Sequence, residues 1–196
     1  MAKDNFLTTA PTSEQLRKEL ERERNKSKGG LFKGIIIAFI AVDAIIVILT
    51  TMFFPIMNIH GDSMYPNLEN GNLVIAYKTD ELARGDVCAF YSGDSVLCKR
   101  IIAYGGEVVD INENGVVYIN NIPFNEPYLI NADLGNTDIE FPYSVPYHTY
   151  FVMGDNRNNS SDSRDPVVGN IKREDIIGRA FLRIWPLQKF GILKHQ

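Results

Sequence analysis

Hydrophobic and polar positions divide this chain into three regimes. Residues 3–28 are polar and dense in charge, and residues 34–54 form an apolar run interrupted by one charge, Asp43. From Pro55 onward, apolar positions recur in short alternating runs. The first regime predicts a helix-capable or disordered tail, with Thr12 or Ser13 as a helix N-cap. The second, at about 1.5 Å per residue, covers roughly 30 Å of hydrocarbon and predicts one transmembrane helix. It is longer than a signal-peptide h-region, and residues 50–54 do not form a small-residue cleavage site, so a permanent anchor is expected.

The third regime predicts strands. Residues 73–77, 86–91, 96–102, 107–111, 116–119 and 150–153 read as β. Asn70-Gly71, Ser92-Gly93-Asp94, Gly105-Gly106, Asn114-Gly115 and Asn120-Asn121 punctuate them as turns. Residues 108–119 are the clearest hairpin. The pattern predicts a mainly β, antiparallel domain. Residues 125–147 read as an irregular excursion, 172–177 as a short helical turn and 180–185 as a closing strand.

Charge orients this layout. Residues 1–33 carry eight Lys/Arg against five Asp/Glu, and residues 55–196 carry twelve against eighteen. Arg22, Arg24, Lys26, Lys28 and Lys33 flank the apolar run on its N-terminal side, whereas the next Lys/Arg after it is Lys78. The positive-inside rule therefore predicts a cytoplasmic N-terminus and an extracytoplasmic domain from residue 55. The acidic balance there argues against a nucleic-acid partner. A chain of 196 residues can build one moderate domain and an appendage. Asp43 admits two readings: a tolerated, protonated carboxyl costing about 2.5–3.5 kcal/mol on insertion scales, or a helix–helix association site.

Candidate chemistry begins at Gly61-Asp62-Ser63-Met64-Tyr65-Pro66. Serine is a poor nucleophile until a base takes its proton. The histidines are badly placed for that. His60 is three residues from Ser63 on one segment, His148 has no marked carboxylate partner, and His195 is penultimate. Lys99 interrupts an otherwise apolar strand. Lowering an amine from about 10.4 to about 8 corresponds to roughly 3 kcal/mol, which apolar walls can supply. Taken alone, the position reads as a solvent-facing or edge lysine that discourages strand aggregation. A third string, residues 154–165, concentrates Asp, Asn, Ser and Arg after a predicted strand. It lacks EF-hand spacing. The joint occurrence of the three strings after one anchor favours the catalytic reading.

These strings resemble the bacterial type I signal peptidases. The match covers Gly61-Asp62-Ser63-Met64-Tyr65-Pro66-Asn67-Leu68, Arg84-Gly85-Asp86-Val87, Lys99-Arg100-Ile101-Ile102-Ala103 with Gly105-Gly106, and residues 154–164. It extends from the anchor to about residue 186. The resemblance implies a mainly β, signal-peptidase-like catalytic domain with a small β insert, preceded by one transmembrane helix. In this layout 1–33 is a cytoplasmic tail, 34–54 the anchor and 55–196 the peptidase domain, with the insert at about 105–147.

The activity implied is removal of signal peptides from secretory preproteins at Ala-x-Ala-like sites, in the bacterial cell membrane, through an acyl-enzyme. By resemblance Ser63 is the nucleophile, Lys99 the general base and Ser160 its orienting hydroxyl. Arg100 with Asp155, and Asp162 with Arg164, are structural pairs. Met64, Leu68, Leu97 and Cys98 resemble lining residues of the substrate pockets, with core packing as the alternative. The substrate is expected to add as a strand beside 97–99. Some relatives place a serine hydroxyl two positions before the nucleophile as an oxyanion donor; here that position is Gly61.

No cofactor or metal is implied, and the lipid bilayer and preproteins are the expected partners of a monomer. Cys88 and Cys98 flank a predicted hairpin and admit either a disulfide or two buried thiols. Two other functions are weighed: a non-catalytic accessory in export or surface assembly, opposed by the intact Ser63 and Lys99, and a self-cleaving Ser-Lys repressor-type peptidase, opposed by the anchor. Proline at position 66 rules out a Ser-x-x-Lys penicillin-binding motif.

Overall fold

The computed structural model describes residues 12–193, and of residues 25–31 the backbone only. The chain divides into two units, one ending at Leu49 and one beginning at Thr50. Residues 13–49 of a continuous helix, α1 (Ser13–Phe53), make up the described part of the first. Thr12 is its N-cap: the Thr12 carbonyl accepts from Leu16 N, and Thr12 N donates to the Gln15 side chain at 3.0 Å. This is one half of a capping box. Phe32–Phe53 of α1 is long and apolar enough to cross a bilayer, and all its residues are exposed.

The second unit is built from strands β1 (Ile56–Asn58), β2 (Leu73–Tyr77), β3 (Val87–Ser92), β4 (Ser95–Tyr104), β5 (Val108–Ile111) and β6 (Val117–Ile119). They continue with β7 (Ile122–Pro123), β8 (Tyr143–Ser144), β9 (Thr149–Met153), β10 (Ile171–Lys172), β11 (Ile176–Trp185) and β12 (Gly191–Ile192). Among the described residues these make two antiparallel sheets. One has the order β1-β2-β11-β3-β4-β9-β10, with β12 on β11, and the other the order β7-β6-β5-β8. The smaller sheet packs Val109, Ile111, Val117 and Ile119 against Ile102, Phe151 and Met153 of the larger one. In β2 the alternation is read directly: Val74 and Ala76 are buried between half-exposed neighbours.

Two sequence expectations change here. The last long strand begins at Ile176 rather than 180, and it lies between β2 and β3. β2 and β3 are about a hundred residues away from it, a pairing that local alternation does not encode. The open choice at the cysteines also resolves. Cys88 lies opposite Lys99, and Cys98 opposite Ala89. Directly opposed residues share a face and successive residues alternate, so the two thiols point to opposite faces. Cys88 joins one core cluster and Cys98 packs against another; both are free.

Candidate active site

Between β1 and β2 the chain makes a turn that carries Ser63 half-exposed at its rim. Its neighbours pin it from below. Met64 and Leu68 are buried with Ile59, Val74, Val87 and Ala180, and Leu68 N donates to Met64 O at 2.9 Å. A second loop, following β9, meets this turn. Asn156 N donates to Ser63 O at 3.0 Å, and the Asn156 side-chain amide donates to Asp62 O at 3.1 Å. The approach requires Gly154, since a Cβ there would collide with Ser160 Oγ and with the Ser63 carbonyl.

Lys99 reaches this junction from β4, a central strand buried on both sides from Lys99 to Ala103. The lysine is 3% exposed. Its Nζ donates to Ser160 Oγ at 3.1 Å, and that hydroxyl donates to Asp162 Oδ2 at 2.7 Å. Asp162 is fully buried and holds Arg164 through Oδ1 and Oδ2, each at 2.8 Å. It also accepts from Gly154 N at 2.9 Å. Burial opposes its ionisation, but the Arg164 hydrogen bonds and charge outweigh burial and hold the carboxyl below the usual range. Lys99 shifts the other way. Burial pushes its amine below the ordinary value, and the Asp162 charge offsets this only partly.

The next residue, Arg100, makes a bidentate pair with Asp155 at 2.7 and 2.6 Å, both side chains being buried. Arg100 Nη1 donates to Gly85 O, and the guanidinium lies 3.9 Å from the centre of the Tyr128 ring. Asn67 donates to both Asp155 Oδ2 and Tyr128 O at 2.9 Å. These contacts tie the Ser63 turn, β4 and the loop after β9 into one frame.

A cleft of about 480 Å³ opens beside the junction. Ser63, Met64, Leu97, Cys98 and Lys99 all line it. Leu68 does not: it is fully buried in the core and lines a different cavity with Val87 and Arg183. His60 is exposed and lines the same cleft as Ser63. His148 is exposed in the turn before β9 and is absent from that lining, and His195 lies outside the described residues. Two strand segments also line the cleft. Residues 56–58 of β1 pair only with β2, and residues 96–99 of β4 pair with β3, because β9 joins β4 only from Arg100 onward. Each therefore has an edge that no described strand covers.

A family model described as signal peptidase, peptidase S26, matches residues 31–185. The chain belongs to this family. It is 35% identical over 169 residues to signal peptidase I S of Bacillus subtilis (strain 168), covering 80% of this chain and 89% of that protein. It is likewise 35% identical over 149 residues to a probable signal peptidase I-1 of Synechocystis sp., covering 69% and 73%. A crystal structure of a signal peptidase I from Enterococcus faecalis V583 aligns at 29% identity with a TM-score of 0.45, covering 52% of this chain and 98% of that one. As a member of the signal peptidase family the chain is a membrane-anchored peptidase that acts in signal-peptide processing.

For a signal peptidase, four residues at this junction were not singled out from sequence. Asn156 holds the Ser63 turn, Asn67 bridges Asp155 to Tyr128, and Tyr128 with Glu126 backs Arg100 and Arg157. The last two fall in the stretch read as irregular, where no periodicity marks burial. Asn156 lay inside a recognised string, and its signal was its position directly after Asp155.

Proposed function

We propose that this signal peptidase is a Ser-Lys serine endopeptidase in which neutral Lys99 activates Ser63. Lys99 Nζ takes the Ser63 proton, and Oγ attacks the scissile carbonyl. The protonated amine then gives its proton to the leaving nitrogen, leaving an acyl-enzyme on Ser63. Lys99 next draws a proton from water, whose attack releases the signal peptide and regenerates Ser63. The observation that carries this reading is the Lys99 environment. The amine is buried, its hydrogen-bond partner is a neutral hydroxyl rather than a carboxylate, and its proton affinity is lowered. Ser160 orients the amine, and Asp162, anchored on Arg164, orients Ser160.

The substrate enters extended, between the uncovered edges of 56–58 and 96–99, with main-chain hydrogen bonds that read no side chain. Met64, Leu97 and Cys98 limit the pockets to small side chains, hence Ala-x-Ala-like sites. The basic residues before the apolar span favour a cytoplasmic N-terminus and an extracytoplasmic peptidase domain. Tethering in the bilayer that also holds the substrate's apolar segment raises their effective concentration.

The test is cleavage of an Ala-x-Ala preprotein in detergent by wild type, Ser63→Ala, Lys99→Ala and His60→Ala. Wild type and His60→Ala are expected to cut, and the other two to be inactive. His60 shares the cleft with Ser63, so loss of activity in His60→Ala with activity kept in Lys99→Ala would transfer the base role to the histidine.

A further inference from the structure

We propose that Asn156 is a positioning residue that aims the oxyanion donor of the nucleophile turn. Two peptide groups flank Ser63, and Asn156 grips both. Its backbone N–H donates to the Ser63 carbonyl at 3.0 Å, and its side-chain amide donates to the Asp62 carbonyl at 3.1 Å. Asp62 O and Ser63 N–H belong to one planar trans peptide, so they point in opposite directions from a rigid plate. Fixing the oxygen therefore fixes the direction of the Ser63 N–H. Tyr65 N also donates to Asp62 O, at 3.1 Å, so the plate has two anchors; the Asn156 anchor comes from outside the turn.

This direction matters more here than in a site with a side-chain donor. Gly61 supplies no hydroxyl, and its φ of +77° disfavours any side chain although the space around it is open. The Ser63 N–H is thus the donor that must point at the developing oxyanion, and preorganisation of such donors is a leading source of rate enhancement. The inference rests on Ser63 being the nucleophile.

The experiment compares Asn156→Ala, Asn156→Asp and Ser63→Ala in the full-length chain. Readouts are kcat, KM and the pH profile on an Ala-x-Ala preprotein, with affinity for a peptide aldehyde of the same sequence. The aldehyde forms a tetrahedral adduct on Ser63 and needs the oxyanion donor. Affinity for the uncleaved peptide on Ser63→Ala and on Ser63→Ala combined with Asn156→Ala measures ground-state binding. Asn156→Ala is expected to lower kcat about 10- to 100-fold, less than full removal of a donor. It should weaken the aldehyde by a similar factor, while KM, uncleaved-peptide affinity and the Lys99-dependent pH limb stay in place. Asn156→Asp, which presents oxygens to the Asp62 carbonyl, should lose at least as much. Unchanged kcat and aldehyde affinity in Asn156→Ala would overturn the proposal, as would equal losses in aldehyde and uncleaved-peptide binding. Full activity in Ser63→Ala would instead overturn the nucleophile assignment on which it rests.

Discussion

Lys99 and Arg100 are consecutive on β4, and both are buried, yet the site treats their charges oppositely. Burial works against each cation. At Arg100 the Asp155 carboxylate outweighs it and holds the guanidinium above its ordinary value. At Lys99 burial prevails: the hydrogen-bonded partner is the Ser160 hydroxyl, and Asp162, whose charge offsets burial only partly, already serves Arg164. A strand that alternates faces can thus carry a paired cation and an amine of lowered proton affinity side by side. What separates them is whether a free carboxylate meets the charge.

The largest effect should come from giving position 99 the chemistry of position 100. Lys99→Arg keeps a long basic side chain but replaces an amine that can discharge with a guanidinium that does not deprotonate in proteins. Preprotein cleavage is expected to fall by at least about 10³-fold, as in Lys99→Ala, since removing one member of a nucleophile–base unit costs nearly as much as removing all of it. Substantial cleavage by Lys99→Arg would show that no neutral base is needed there.

Next in size is the structural half. Asp155→Asn leaves Arg100 buried without its counter-charge, and breaking a buried pair costs about 3–5 kcal/mol. Urea denaturation should show that loss, together with weaker binding of the loop that holds Ser160. A change below about 1 kcal/mol would mean that Tyr128 and Gly85 suffice to hold the guanidinium.

The contrast between the two cations was only half legible in the sequence. The lysine string and the Gly-Asp-Ser string marked segments that meet at the junction, and six of the strands followed from alternation and turn residues. What alternation does not carry is which face or edge a residue meets. Leu68 sits in the nucleophile string but points into the core, Cys88 and Cys98 straddle a hairpin but face apart, and β11 is central although it comes late. Tyr128 and Glu126 stabilise Arg100 and Arg157 from a stretch without regular structure. Their burial comes from tertiary contacts alone. Asn156 was visible as a residue, but its grip on two carbonyls depends on how loops 93 positions apart meet.

A smaller effect probes the electrostatic boundary between the two positions. Asp162 raises the Lys99 proton affinity against burial, and Arg164 lowers it. Asp162→Asn removes the first influence and keeps the second, so the amine discharges at lower pH. If, as proposed, activity requires the neutral amine, kcat/KM rises with pH through this titration. Its acid limb should therefore move to lower pH in Asp162→Asn, on top of a reduced plateau. A limb that stays or moves upward would contradict the assignment of that limb to Lys99.

The smallest effect is on stability, and it has a definite sign. Lys99 binds its proton less tightly in the folded chain than in the unfolded one. Between those two values the unfolded state holds more protons, so the contribution of Lys99 to stability improves as pH rises. Below the folded value both states are protonated and the full penalty of burying a charge is present. Above about pH 10.4 both are neutral and the penalty is gone. Lys99→Met keeps the shape of the stem without the amine, and it leaves Ser160 still bonded to Asp162. The variant should be more stable than wild type near neutral pH, and its advantage should shrink as pH rises towards and beyond the unfolded value. Chemical denaturation at a series of pH values measures this difference directly. An advantage that grew with pH would mean that the folded state favours the charged amine, making position 99 a second Arg100.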